Sequence, residues 1–124
     1  MNIPNNLYYT KNHEWVKIEN GIATIGITDY AQSELGDIIF IEFPDIGSKC
    51  NAGDNIGTIE AVKTVADLYS PLEGTIAAFN TDLEIAPDPV NRDPYISGWI
   101  VKLDSLSEDR SILLSHDEYK KLIH

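Results

Sequence analysis

Apolar and β-branched residues come in runs of five to seven along this chain, and Gly, Pro, Asn or Asp interrupt them at short intervals. Helices need longer uninterrupted periodicity, so this punctuation predicts an all-β sandwich or barrel. The stretch EWVKIENGIATIGI (14–27) holds two such runs around Asn20-Gly21, a dipeptide that tolerates the positive φ angles of a tight hairpin. DIIFIEF (37–43) is apolar on both alternating faces, which predicts a central strand ended by Pro44. IGTIEAV (56–62), VADLYS (65–70), GTIAAF (74–79) and GWIVKL (98–103) supply further strands, whereas PDIGSKCNAGDN (44–55) reads as turn chemistry throughout.

Two segments depart from the strand pattern. In TDYAQSELG (28–36), Thr28 or Asp29 can cap a two-turn helix, with Gln32 three residues after Asp29 and Gly36 able to close it. SHDEYKKLIH (115–124) opens with a Ser115/Glu118 capping box and places Tyr119, Leu122 and Ile123 on one face of a C-terminal helix at 115–123. Between them, NTDLEIAPDPVNRDPY (80–95) has three prolines and little periodicity, and is expected to be a long surface loop. No linker divides the 124 residues, so one domain over 1–124 is expected.

Charge narrows the partners. Nine Lys and Arg against twenty Asp and Glu give a formal charge of −11, which opposes nucleic acid and anionic lipid and favours proteins with basic patches. The single Cys50 excludes an internal disulfide and is expected to be a reduced structural or surface thiol. His13, His116 and His124 have no metal-ligand spacing, and Trp15, Trp99 and Tyr69 suit core or near-core positions. The start, MNIPNNLYYT, has neither a signal-peptide pattern nor the Arg-rich character of a transit peptide, and the chain as written reads as cytosolic.

One stretch is not accounted for by folding alone. In IEAVKTVAD (59–67), Lys63 stands in an apolar run with Glu60 three residues before it and Asp67 four after. The shortest connection between the flanking runs, within a hairpin of about 56–70, puts Lys63-Thr64 at a two-residue tip. In that register Val62 faces Val65, Ala61 faces Ala66, and Glu60 faces Asp67, setting like charges opposite each other. Neither tip residue is Gly, Asn or Asp, so backbone ease does not explain the choice.

Gly47 lies sixteen residues before Lys63 and Gly74 eleven after, each in a turn context. With TIEAVKTVADLYSPLEG (58–74) go HEWV (13–16), ATIGITDYAQSELGDI (23–38), VNRDPY (90–95) and GWIVKL (98–103), in one order over nearly the whole chain. This arrangement resembles lipoyl-carrier domains, and most closely the glycine cleavage system H-protein family. Ala61 and Thr64 stand where that family more often has Ser and Ala, and APDPVN (86–91) and PYISGW (94–99) depart from its usual loop.

The resemblance implies a flattened barrel-sandwich of two small antiparallel sheets, with a short helix near 28–35 and a C-terminal helix. It implies lipoate joined as an amide to Lys63, and recognition of the hairpin by a lipoate ligase or an octanoyl/lipoyl transferase through Glu60, Asp67, Gly47 and Gly74. The chain is then a monomeric carrier and no enzyme. It takes an aminomethyl group from a pyridoxal-phosphate glycine decarboxylase (P-protein) and delivers it to a tetrahydrofolate-dependent aminomethyltransferase (T-protein). A flavin dihydrolipoamide dehydrogenase (L-protein) reoxidises it. A cationic cargo amine needs shelter from water, for which Glu14, Asp67, Asn12 and Ile27 are the candidates. The rival readings are a carrier or lipoyl donor for 2-oxo acid dehydrogenases, and an unmodified β-sandwich interaction module. The former domains tend to show Asp-Lys-Ala where this chain has Val62-Lys63-Thr64, and a biotin carrier would show Met-Lys-Met.

Overall fold

A computed structural model describes residues 1–124. In chain order the strands are β1 (Tyr8–Tyr9), β2 (Glu14–Glu19), β3 (Ile22–Ile27), β4 (Ile38–Glu42), β5 (Lys49–Cys50), β6 (Asn55–Ala61), β7 (Val65–Tyr69), β8 (Gly74–Phe79) and β9 (Val101–Asp104). The helices are α1 (Asp29–Leu35), α2 (Asp82–Ile85), α3 (Pro89–Arg92) and α4 (His116–Leu122). All pairings are antiparallel, and they build a six-stranded sheet in the order β1-β2-β3-β9-β8-β5 and a three-stranded sheet in the order β4-β6-β7. The expected pair of sheets is present, without closure into a barrel.

The inner faces of both sheets meet in one core of Val16, Ile25, Ile41, Ile59, Leu68, Ile76, Leu103 and their neighbours. Burying each such side chain is worth about 1.5–3 kcal/mol. Strand alternation sends Trp15, beside Val16, to the opposite face of β2. There it joins Leu7, Tyr9 and Tyr119 in a smaller cluster, so the C-terminal helix and the N-terminal segment cover what would otherwise be an exposed apolar sheet face.

Local chemistry gives the turns and caps. Asn20 and Gly21 have φ of 52° and 78°, the left-handed pair required by a two-residue hairpin. Thr28, not Asp29, caps α1 by accepting from the Ala31 N–H, while the Gln32 amide donates to Asp29 Oδ1. The Ser115/Glu118 capping box forms at α4.

Several expectations are corrected. Segment 37–43 is no central strand: β4 lies at the edge of the smaller sheet, where a bulge between Ile38 and Phe40 breaks the alternation. Ile39 and Phe40 consequently both face outward, 55% and 54% exposed. Segment 80–95 is not a featureless loop, because burial of Leu83 and Val90 winds it into α2 and α3, the latter with Pro89 in its first turn. The Asn80 amide ties this region down by donating to the Ser97 and Trp99 carbonyls, both at 2.9 Å. The turn-rich stretch 44–55 contributes β5, and β9 begins only at Val101. On α4, Tyr119 is buried as expected whereas Leu122 is 49% exposed.

Candidate functional site

The lysine hairpin is formed by β6 and β7, but its register is not the two-residue tip. Glu60 pairs with Val65, Ile59 with Ala66 and Thr58 with Asp67, leaving Ala61–Thr64 as a four-residue connection. A two-residue turn of the usual primed types would require positive φ at Lys63, and in one type at Thr64 as well, and no residue of this connection has one. Instead the Ala61 N–H donates to the Thr64 carbonyl at 2.8 Å, and the Val62 N–H donates to Asp37 O at 3.1 Å, anchoring the tip to the start of β4. Glu60 and Asp67 are therefore diagonal neighbours on one face, about 7–8 Å apart in ordinary sheet geometry, rather than directly opposed. Lys63 is exposed, flanked by Val62 and Val65 at 67% and 59% exposure.

Gly47 and Gly74 lie away from this tip. Gly47 is in a turn with φ of 91°, and its N–H donates to Ile76 O at 2.8 Å. Gly74 is not in a turn but starts β8 opposite Cys50, where a Cβ would lie 2.9 Å from Asp104 O. Cys50 is buried nearby, with Sγ 3.5 Å from Ser70 Oγ.

A groove of about 300 Å³ runs where β2, β3 and α1 meet the hairpin. Asn12, Glu14, Ile27 and Asp67, widely spaced in sequence, all line it, and the paired Ile59 and Ala66 form its floor on the hairpin side. Helix α1 closes the far wall with Tyr30, Ala31, Glu34 and Leu35.

Glu14 is no solvated edge acid: it is 1% exposed. Its carboxylate accepts the Thr10 hydroxyl and the Tyr69 N–H, the latter at 3.2 Å. Burial outweighs both bonds and pushes the carboxyl up to about 7. Asp67 sits at the exposed rim and accepts from the Tyr69 hydroxyl at 3.3 Å. Tyr69 thus holds Glu14 by its backbone and Asp67 by its side chain.

The residues missed from sequence are Thr10, Tyr30, Glu34 and, above all, His13. His13 occupies the left-handed region at φ 67°, lines the groove, and packs against Tyr30 and Tyr119 with ring centroids 4.9 and 5.8 Å away. Its place in HEWV, directly before Glu14, was the available signal. Tyr119, more than a hundred positions downstream, offered none.

The chain is similar in sequence and fold to known proteins. A family profile described as Glycine cleavage H-protein matches residues 7–124. The chain is 50% identical over 123 residues to a protein of Salinibacter ruber named glycine cleavage system H protein, covering 98% of this chain and 99% of that one. A Listeria monocytogenes serotype 4a protein of the same name is 49% identical over 124 residues, with 99% of each chain covered. Among solved structures, a glycine cleavage system H protein from Mycobacterium marinum superposes with a TM-score of 0.87 at 34% identity, over 96% of this chain and 97% of that one.

Proposed function

The chain belongs to the glycine cleavage H-protein family, and from that premise we propose that it is the lipoyl-bearing shuttle of the glycine cleavage system, with lipoate held as an amide on Lys63. It carries the aminomethyl group from glycine decarboxylase to the tetrahydrofolate-dependent aminomethyltransferase, and dihydrolipoamide dehydrogenase reoxidises it. The lipoyl dithiolane supplies the sulfur chemistry when attached, and the protein supplies position and shelter. These partners, the lipoylating enzyme and a cytoplasmic setting go with the family; no helix of the chain is long and apolar enough to cross a membrane.

One observation carries the reading: the hairpin that exposes Lys63 at its tip also walls a groove that holds the buried carboxylate of Glu14 from β2. Lys63 is four residues from Ile59 and three from Ala66 on the groove floor. At about 3.3 Å per strand residue that is on the order of 10–13 Å, within the roughly 14 Å reach of a lipoyl-lysine arm. The groove's chemistry suits the cargo. Ile27, Ile59 and Ala66 exclude water, while Glu14, with its oxygens already oriented by Thr10 and Tyr69, accepts hydrogen bonds from a cationic amine. Asp67 adds charge at the rim and Asn12 a polar edge. Glu60, half-buried on the outer face beside the tip, is assigned with Asp67 to recognition by the lipoylating enzyme, together with Gly47 and Gly74, which shape the β5–β8 part of the larger sheet.

The test is a peptide-level mass map of protein co-expressed with a lipoate ligase and lipoate. The expected result is one lipoyl group, on Lys63, and none in Lys63→Arg. Acylation elsewhere, or a bare Lys63 beside a fully lipoylated control substrate, overturns the proposal.

A further inference from the structure

We propose that Tyr119, on the C-terminal helix, is a positioning residue that holds His13 of the arm groove in its neutral form with the proton on Nε2, keeping the groove free of a competing cation. This rests on the reading of the groove as the shelter for a cationic cargo.

The argument is a count of hydrogens. The Tyr119 hydroxyl is 2.9 Å from His13 Nδ1 and 2.7 Å from Thr28 Oγ1. Thr28 Oγ1 also accepts the Ala31 N–H at 3.1 Å as the cap of α1. Thr28 and Tyr119 are both 0% exposed, so each hydroxyl hydrogen must find an acceptor within the protein. The Tyr119 oxygen is the only acceptor in reach of the Thr28 hydroxyl. Thr28 therefore donates to Tyr119, and Tyr119 donates to His13 Nδ1. With that lone pair engaged, a neutral imidazole carries its proton on Nε2. Reversing the chain, with Nδ1–H donating to Tyr119 and Tyr119 to Thr28, strands the Thr28 hydrogen in the interior.

Protonating His13 requires that reversal, so the network opposes the imidazolium. Burial acts in the same direction and holds His13 below its ordinary value, with Glu34 pulling the other way. The ionisable groups around the ring are Glu14 on β2, Tyr30 and Glu34 on α1, Asp67 on β7 and Tyr119 on α4. Three of the five are carboxylates, which favour a charged imidazole. An imidazolium lining the groove would repel a cationic amine placed there. The phenol of Tyr119 is placed to prevent this, and Tyr9, stacked on it at 4.7 Å and 6°, fixes its ring.

Imidazole nitrogen resonances of the unlipoylated, labelled protein test the network by themselves. The expected spectrum shows an unprotonated Nδ1 and a protonated Nε2 at His13, and a protonated Nδ1 near neutral pH overturns the proposal. Tyr119→Phe keeps the stacked ring and removes the donor, so the His13 titration midpoint should rise. In lipoylated protein loaded by glycine decarboxylase, Tyr119→Phe should release formaldehyde and ammonia to water several-fold faster than wild type below pH about 6.5, the ordinary His value, and match it at pH 8. Adding His13→Asn, which tolerates the left-handed backbone, should remove that pH dependence. An equal defect at both pH values, or an unchanged midpoint, gives Tyr119 a merely structural role and ends the proposal. Failure of the shuttle assignment would show separately, as a bare Lys63 alongside an intact tautomer result.

Discussion

Glu14 and Lys63 divide the work at the residue scale: one is costly to bury, the other costs nothing to expose. The Glu14 carboxyl rises from 4.5 to about 7 on folding. A raised folded value means that its contribution to stability is complete below pH 4.5 and is lost as pH climbs through 7. The interval corresponds to about 3 kcal/mol at most. Glu14→Gln should therefore be more stable than wild type at pH 8, with the advantage vanishing near pH 4, as read from urea unfolding at several pH values. The same variant should retain aminomethyl cargo poorly at pH 8, where wild-type Glu14 is ionised. Lys63→Arg should lose all lipoylation and cargo loading while its stability stays within about 0.5 kcal/mol of wild type, since the exposed Lys63 side chain takes no part in the core. Glu60→Gln should slow lipoylation more than it shifts thermal stability, as followed by intact mass against time; equal kinetics would remove Glu60 from recognition.

Strand and helix pairing set where those residues stand. Trp15 pairs with Gly26, and a Cβ at Gly26 would lie 2.6–2.8 Å from the indole ring. Gly26→Ala should thus destabilise by about 1–3 kcal/mol through overpacking, and the shifted indole, whose Nε1–H donates to Pro94 O at 3.0 Å, should report it in tryptophan fluorescence. Most elements were readable in the residues: the Asn20-Gly21 hairpin, the Thr28-capped helix and the Ser115 capping box all rest on local chemistry. The register of the lysine hairpin was not. It depends on the Val62 N–H reaching Asp37 O, a contact between segments that no local rule connects. The edge position of β4 was hidden likewise, because an apolar run reads the same whether its outer face is covered or bare.

Charge and connectivity act on the whole molecule. A formal charge of −11 is relieved by one unconditional ion pair, Lys17–Glu19 at 3.1 Å, whose partners are 48% and 64% exposed. Self-repulsion of this kind is screened at the Debye length, about 8 Å at 0.15 M salt. Raising salt from low to physiological strength should therefore raise the melting temperature, while the apparent KM of the partner enzymes for this chain should rise as their attraction weakens. Salt-independent KM values would mean that docking does not use the charge. From the sequence alone came the β class, the caps, the acidic character and the lysine with its flanking acids, because each depends on residue type and short-range spacing. Only the tertiary structure could bring Thr10, His13, Thr28 and Tyr119 around Glu14, since burial and hydrogen-bond direction belong to atoms that meet after the chain has closed on itself.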